Sequence, residues 1–401
     1  MQRITGQLTL KRGREKSVLN RHPWLFSGAI GRVEGKPQSG DLVQVLDSNG
    51  RFLATGTFNP HSQIRVRLLS WDVDEQIDAA FWNGRLQQAH KHRQQLQLEP
   101  ATTAYRLVNA EADGLPGLIV DKYGEFLVMQ SLTAGIEAQK KTILTAINQI
   151  WQPKGIVERS DADVRAKEGL PTIRRVASGE PPPDTLVIQE NGILFGVNLL
   201  GGHKSGFYLD QRENRTAVCQ PQHVANKNVL NVFAYTGGFG LYAIANGAQQ
   251  VTHVDSSYNA LELAEQNVER NGWKRPQDEY LAGDAFDILR HYRDNNQRFD
   301  LIVLDPPKFA HSQRDVPYAC RGYKDLNWLA LQLLTPGGLL ATFSCSGLIS
   351  AELFQKVLFG AAVDANRQVQ IIQTLSQGPD HPVLLTFPES AYLKGFLCRV
   401  S

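Results

Sequence analysis

The rhythm of apolar and polar positions changes twice along the chain. In the first stretch it has period two. Gln63-Ile64-Arg65-Val66-Arg67-Leu68-Leu69 alternates, with Ile64, Val66 and Leu68 on one face and Arg65 and Arg67 on the other. Leu42-Val43-Gln44-Val45-Leu46 alternates in part. The turn Asp47-Ser48-Asn49-Gly50 follows and Arg51-Phe52-Leu53-Ala54-Thr55-Gly56 returns, which is a hairpin. Short strands punctuated by turns predict a small β-barrel over residues 1–70. Residues 72–97, marked by Phe81, Leu86 and Leu96, read as a connecting helix.

From about residue 105 to 200 strands and a helix mix. Leu118-Ile119-Val120 and Phe126-Leu127-Val128-Met129 flank the turn Asp121-Lys122-Tyr123-Gly124. Ile136, Ile143, Ile147 and Ile150 then recur at helical spacing. Gly155-Ile156-Val157-Glu158 is a further strand, and Gly179-Glu180-Pro181-Pro182-Pro183 breaks the pattern. Asn191-Gly192 between Leu186-Val187-Ile188 and Ile193-Leu194-Phe195-Gly196-Val197 is a hairpin signal. This second unit is α+β. Beyond residue 200, apolar strands at 228–233, 250–254, 279–281, 299–304 and 338–343 alternate with helical stretches, closing on a pair near 382–386 and 395–400. That alternation predicts a doubly wound, Rossmann-like α/β sheet. The expected domains are 1–80, 81–195 and 196–401.

Composition narrows this picture. At 401 residues the chain exceeds one ordinary core. With 42% apolar and 20% charged residues it reads as soluble and globular. No run of ~18 apolar residues suggests a membrane span, and Met1-Gln2-Arg3-Ile4-Thr5-Gly6 leads into no apolar signal segment. Cys219, Cys320, Cys345 and Cys398 lie far apart, so neither a disulfide framework nor a metal site is expected, and a cytoplasmic location is the simplest reading. Residues 1–70 hold eleven Lys or Arg against four Asp or Glu, a local +7 that leaves −5 on the rest of a chain of net +2. A basic module on a mildly acidic body points to a polyanionic partner. Arg12, Arg14, Lys16 and Arg21 are its candidate phosphate contacts, with Trp24 and Phe26 either stacking on bases or filling the barrel. Such binding weakens steeply with salt.

Chemistry collects at predicted strand ends. Asp305-Pro306-Pro307-Lys308-Phe309 follows the apolar run 301–304, and Phe343-Ser344-Cys345-Ser346 follows Leu339-Leu340-Ala341-Thr342. In an open α/β sheet this carboxyl edge is where ligands bind. Phe233-Ala234-Tyr235-Thr236-Gly237-Gly238-Phe239-Gly240 closes the first strand with glycines that admit a ligand at the following helix. Asp255, eighteen residues past Gly237, suits a ribose diol, and Asp284 an exocyclic amine. The dinucleotide glycine spacing and a cationic clamp for a pyrophosphate are both missing, which favours S-adenosylmethionine over a dinucleotide. Asp255 and Asp284 are equally able to cap helices.

Residues 200–401 resemble the class I S-adenosylmethionine-dependent methyltransferases. Essentially the whole chain resembles the RlmI family of bacterial 23S ribosomal RNA cytosine-5 methyltransferases. The motifs are Gly202-His203-Lys204-Ser205-Gly206-Phe207-Tyr208-Leu209-Asp210-Gln211-Arg212, the 233–239 loop, Asp305-Pro306-Pro307-Lys308-Phe309, Cys320-Arg321-Gly322-Tyr323-Lys324-Asp325 and Phe343-Ser344-Cys345-Ser346-Gly347. The resemblance implies an N-terminal PUA domain, a small central α+β domain, and methylation of one cytosine at position 1962 of 23S ribosomal RNA. The expected cofactor contacts are Phe233, Tyr235, Thr236, Gly237, Phe239, Asp255, Ser256, Asp284, Ala285 and Asp305, with Tyr208 and Arg212. Gly240 stands where relatives often carry alanine.

Carbon 5 of cytosine is a poor nucleophile, and a thiolate adding at carbon 6 makes it enamine-like. Cys345 is the candidate nucleophile. Asp305 is the candidate partner of the pyrimidine edge, and Phe309 the candidate stacking surface for an extruded base. Lys308, Arg321 or Lys324 is expected to favour the thiolate, and Arg321 and Lys324 also to meet RNA. The wider family of RNA cytosine-5 methyltransferases has a second cysteine where this chain has prolines, so the base that takes the carbon 5 proton is unassigned. Two other readings stay open. One is a purine methyltransferase that needs no cysteine. The other is a non-catalytic RNA-binding assembly factor. The oligomeric state is open, a homodimer included.

Overall fold

The computed structural model describes residues 4–202 and 206–401. His203, Lys204 and Ser205 of the 202–212 motif lie outside them. The chain divides into two compact units. One comprises Met1–Ile188, Val197–Leu209 and Pro379–Ser390, the other Gln189–Gly196, Asp210–Gly378 and Ala391–Ser401.

The first unit opens with six strands: β1 (Gly6–Leu10), β2 (Trp24–Phe26), β3 (Ile30–Gly35), β4 (Leu42–Leu46), β5 (Phe52–Phe58) and β6 (Ile64–Ser70). They form one sheet in the order β2-β6-β5-β4-β1-β3, with β1 parallel to β4. The β4–β5 turn is fixed by Asp47, whose Oδ1 accepts the Asn49 and Arg51 amides and whose Oδ2 accepts Arg51 Nε at 2.7 Å. A second sheet holds β7 (Ala104–Asn109), β8 (Leu118–Tyr123), β9 (Phe126–Ser131), β10 (Gly155–Ser160) and β11 (Ile173–Gly179) in the order β11-β10-β9-β8-β7. The helix Ala134–Trp151 buries Ile136, Ile143 and Ile147, as its spacing predicts. The connecting helix is shorter than expected, Ala79–Gln94, because the Asp78 carboxylate caps the Ala80 and Phe81 amides there.

The two sheets share apolar and ionic contacts. Leu42 and Leu69 of the first lie in one core with Trp82, Leu86, Val120 and Ile143. Arg67, expected on an outward face, is 6% exposed and bridges Glu111 at 3.0 Å and Glu168 at 3.1 Å. Period two gives its face correctly, but a second layer covers that face.

In the second unit lies a seven-stranded sheet: β14 (Asn228–Val232), β15 (Gln250–Asp255), β16 (Glu279–Ala282), β17 (Phe299–Leu304), β18 (Leu334–Ser344), β19 (Val369–Ser376) and β20 (Lys394–Val400). The hairpin β12 (Leu186–Glu190) and β13 (Ile193–Val197) precedes it. The order is β16-β15-β14-β17-β18-β20-β19, with β20 antiparallel to both neighbours. The chain leaves β14 for β15 on one side and later returns on the other with β17, so the sheet switches direction beside β14. Ligands sit at such a point in this class of sheet.

The expected strand at 382–386 does not form. Pro382 O accepts Asn109 Nδ2, the Leu384 amide donates to Ser390 Oγ, and Leu385 is 94% exposed. The backbone of this segment is engaged in a loop of the first unit. The true partner of β20 is β19, whose glutamines and exposed isoleucines conceal it because it is an edge strand.

Candidate functional site

Parallel register aligns four strand ends. Val254 pairs with Val232, Val232 with Leu304 and Leu304 with Thr342. The next residues along these strands are Asp255, Phe233, Asp305 and Phe343, one row across the carboxyl edge. Asp255 itself pairs with Ala282, just ahead of Gly283 and Asp284.

The loop after β14 has an unusual backbone. Phe233 (φ 61°), Tyr235 (φ 47°) and Gly237 (φ 86°) are all left-handed, and the first two pay the steric penalty of a side chain in that region. Asp255 holds the loop, with Oδ2 accepting the Tyr235 amide at 2.8 Å and Oδ1 the Ser257 amide at 2.9 Å. Such strain at a strand–helix junction is a mark of functional loops. Thr236 Oγ1 and Asn231 Nδ2 are buried without a hydrogen-bond partner. Two orphaned polar atoms in and beside the loop fit a polar group that completes them. Asp284 caps the helix Ala285–Asp294 through Oδ1 and is exposed just past the carboxyl end of β16. Asp255 caps no helix: the N-cap of the helix Tyr258–Arg270 is Ser257, and Asp255 ties the two loops together instead.

The other expected cofactor contacts divide by burial. Ser256 is exposed, and Ala285 is buried at the start of its helix. Phe239 is buried, its ring 5.4 Å from that of Phe343. Arg212 is fully buried, with Nε 3.1 Å from Glu213. Tyr208 is half-buried and belongs to the first unit.

Asp305 and Cys345 end neighbouring strands β17 and β18, both half-buried. The Cys345 turn is held by hydroxyls. Ser344 Oγ donates to Tyr323 Oη at 3.0 Å, Tyr323 Oη lies 3.5 Å from Ser346 Oγ, and the Ala310 amide donates to Ser346 Oγ at 3.4 Å. The Phe309 ring lies on Tyr323 at 4.7 Å, so a half-buried aromatic faces the same cluster. Burial pushes the Tyr323 phenol up. The other thiols sit elsewhere. Cys219 is buried with Sγ donating to Phe239 O, and Cys398 lies inside β20. Burial raises the Cys398 thiol to about 12, and the Cys219 thiol far above its ordinary value. Cys320, half-buried on the helix Val316–Leu333, is also pushed up by burial.

Of the cations expected near the thiol, Lys308 is exposed in the Asp305 loop. Arg321 lies over the Tyr318 ring at 4.4 Å, and Lys324 pairs with Asp364 at 2.7 Å. The last two are thus engaged on helices. Lys394 was not anticipated: at the head of β20 it is 8% exposed, and its Nζ donates to Ser346 O at 2.6 Å and Ile349 O at 2.7 Å. A lysine opening an apolar strand reads as a solvated end, so only the tertiary fold reveals it.

Arg12, Arg14, Lys16 and Arg21 are all exposed on the first unit, Arg21 5.8 Å from the Trp71 ring centre. Trp24 is engaged internally, donating Nε1 to Glu111 at 2.7 Å and packing on Phe387 at 4.6 Å. Phe26 is 49% exposed. Among the described residues no helix is long and apolar enough to cross a membrane.

Comparison with known proteins fits this geometry. Residues 171–399 match the S-adenosylmethionine-dependent methyltransferase family, and residues 8–71 match a PUA-like domain. The chain belongs to that methyltransferase family, and within it to the group of ribosomal RNA large subunit methyltransferases I. It is 50% identical over 394 residues to the protein of that name from Klebsiella pneumoniae strain 342, covering 98% of each chain. To the one from Escherichia coli O139:H28 it is 48% identical over 397 residues, covering 99% of this chain and 100% of that one. A SAM-dependent methyltransferase structure from Streptococcus mutans shares the fold (TM-score 0.85, 23% identity, 98% of this chain and 99% of that one). So does a methyltransferase complexed with SAH (TM-score 0.86, 24% identity, with the same coverage).

Proposed function

We propose that this enzyme methylates carbon 5 of a cytosine in large-subunit ribosomal RNA, with Cys345 as nucleophile. One observation carries the reading: of four thiols, Cys345 is the one that stands at the carboxyl edge of the sheet, one strand from Asp305 and in line with the 233–237 loop. A purine methyltransferase has no use for a thiol there. The names of the curated relatives support ribosomal RNA as the substrate.

S-adenosylmethionine, when bound, supplies the methyl group. The 233–237 loop would hold it by backbone approach, with Asp255 and Asp284 as carboxylate acceptors for its ribose and its amine. Cys345 Sγ adds to carbon 6 of the base, and the electron pair moves to carbon 5, which takes the methyl. The carbon 5 proton then leaves to a base, and the Sγ–carbon 6 bond breaks to restore the ring. Asp305 contacts the pyrimidine edge and, by sharing a proton with ring nitrogen 3, draws off the negative charge that builds there during addition. Phe309, on the Tyr323 ring, offers a face for the extruded base. Fixing donor and acceptor in line supplies about 7–11 kcal/mol of the barrier reduction.

The test uses RNA carrying 5-fluorocytosine. Fluorine cannot leave carbon 5 as a proton does, so the covalent complex persists through denaturing electrophoresis. The reading expects a methyl-donor-dependent adduct with the natural chain and none with Cys345→Ala. An adduct formed by Cys345→Ala, or full methyl transfer by that variant, refutes it.

A further inference from the structure

In the antiparallel pairing of β18 and β20, Lys394 lies opposite Ser344, the residue before Cys345. Its Nζ donates to two carbonyls of the turn that follows Cys345, those of Ser346 and Ile349. Among the described residues no carboxylate pairs with it. A cation this buried, with carbonyls but no anion, is a costly arrangement. The anion-forming group beside it is Cys345, whose field acts on the lysine. We propose that Lys394 is the positioning residue for Cys345: it clamps the turn that carries the thiol and supplies the positive charge that keeps the thiol ionised for attack. This rests on the reading of Cys345 as nucleophile.

The surrounding groups are few. Lys308 and Asp305 reach in from the loop after β17, Tyr323 from the helix Val316–Leu333, and Lys394 from β20. Asp305 opposes a thiolate and Lys308 favours it. Lys308 is exposed and therefore screened, whereas Lys394 is buried. Burial lowers Lys394 to about 8, which places it near the ~8.5 of an ordinary thiol. Because each charge acts on the other, the two groups titrate as a pair. When Lys394 is neutral the thiol proton passes to its amine; when it is already an ammonium the proton passes to solvent. Both routes end in the same ion pair.

The experiment follows alkylation of the Cys345 peptide by iodoacetamide across pH, read by mass spectrometry on the full chain. The natural protein is expected to alkylate with a midpoint below ~8.5. Lys394→Met moves that midpoint up by about one unit, a tenfold loss of thiolate near neutrality. Lys394→Arg keeps the charge and restores most of the shift. In methyl transfer, Lys394→Met lowers kcat about tenfold near neutrality and recovers at alkaline pH, with KM for RNA unchanged. A midpoint unaltered by Lys394→Met overturns the proposal. Where that variant does not fold, a natural-chain midpoint at or above ~8.5 overturns it equally. If instead Cys345→Ala still transfers methyl groups, the nucleophile reading fails, and the alkylation midpoints still decide whether the pair exists.

Discussion

Gly240 shows how one residue fits the fold around it. A Cβ placed there meets His253 Cε1 at 2.1 Å, and His253 is fully buried with both ring nitrogens unpartnered. The histidine occupies the space an alanine needs, so the packing around it calls for glycine here. Gly240→Ala is expected to destabilise the protein by about 1–3 kcal/mol through overpacking. Adding His253→Val recovers much of that loss, as denaturant melts measure. His253 also links stability to pH. Burial lowers its pKa to about 3, below the ~6.5 of an unfolded histidine. The stabilisation it contributes is complete above ~6.5 and is lost as pH falls toward 3, because there the unfolded chain takes up a proton that the folded chain refuses. His253→Gln should flatten the decline in stability across that window, and an unchanged decline contradicts this assignment. The sheet-edge positions of Asp255, Asp305 and Cys345 were legible in the sequence because each stands at the end of a predicted strand. Lys394 and His253 were not, because their roles come from neighbours 48 and 13 residues away in sequence.

Among elements, the helix Gly238–Ala245 depends on a buried ion pair for its seat. Arg215 binds both oxygens of Glu190, at 2.7 and 2.8 Å, and Tyr242 Oη donates to Glu190 at 3.1 Å. Arg215 also fills the space beside Gly238, where an added Cβ meets its side chain at 3.3 Å. Burial opposes the Arg215 charge, but Glu190 outweighs it and holds the guanidinium above its usual range. Arg215→Met leaves Glu190 buried and unpaired and is expected to cost about 3–5 kcal/mol. Glu190→Gln in the same chain should restore part of it. A single-variant loss under 1 kcal/mol would show that the pair is not needed. Strand positions were largely readable from the pattern, since β14, β17 and β18 carry apolar stretches buried on both sides, while β15 is buried in spite of Thr252 and His253. Hydrophobicity misled at the sheet edge, where the polar β19 pairs and the apolar 382–386 does not.

For the whole chain, the basic N-terminal sheet is the electrostatic arm of the account. Deleting residues 1–70 to test it would also remove Leu42, Leu69 and Arg67, which complete the core and ion pairs of the second sheet. Replacing the exposed Arg12, Arg14 and Lys16 with Gln is the cleaner change. If all three meet phosphates of an unpaired RNA segment, the slope of log affinity against log salt should flatten by about 2, at ~0.7 per contact. An unaltered slope places the RNA on another face. The charge imbalance was visible in composition. The covered face of Arg67 was not, because period two gives a direction and not what lies there.

The central claim is that Cys345 chemistry selects carbon 5 of a cytosine. Its most direct measurement is mass mapping of methylated nucleosides in ribosomal RNA incubated with the enzyme and isotopically labelled methyl donor. The natural chain is expected to give 5-methylcytidine at a single site, and Cys345→Ala none. A labelled purine, or label retained by Cys345→Ala, contradicts it.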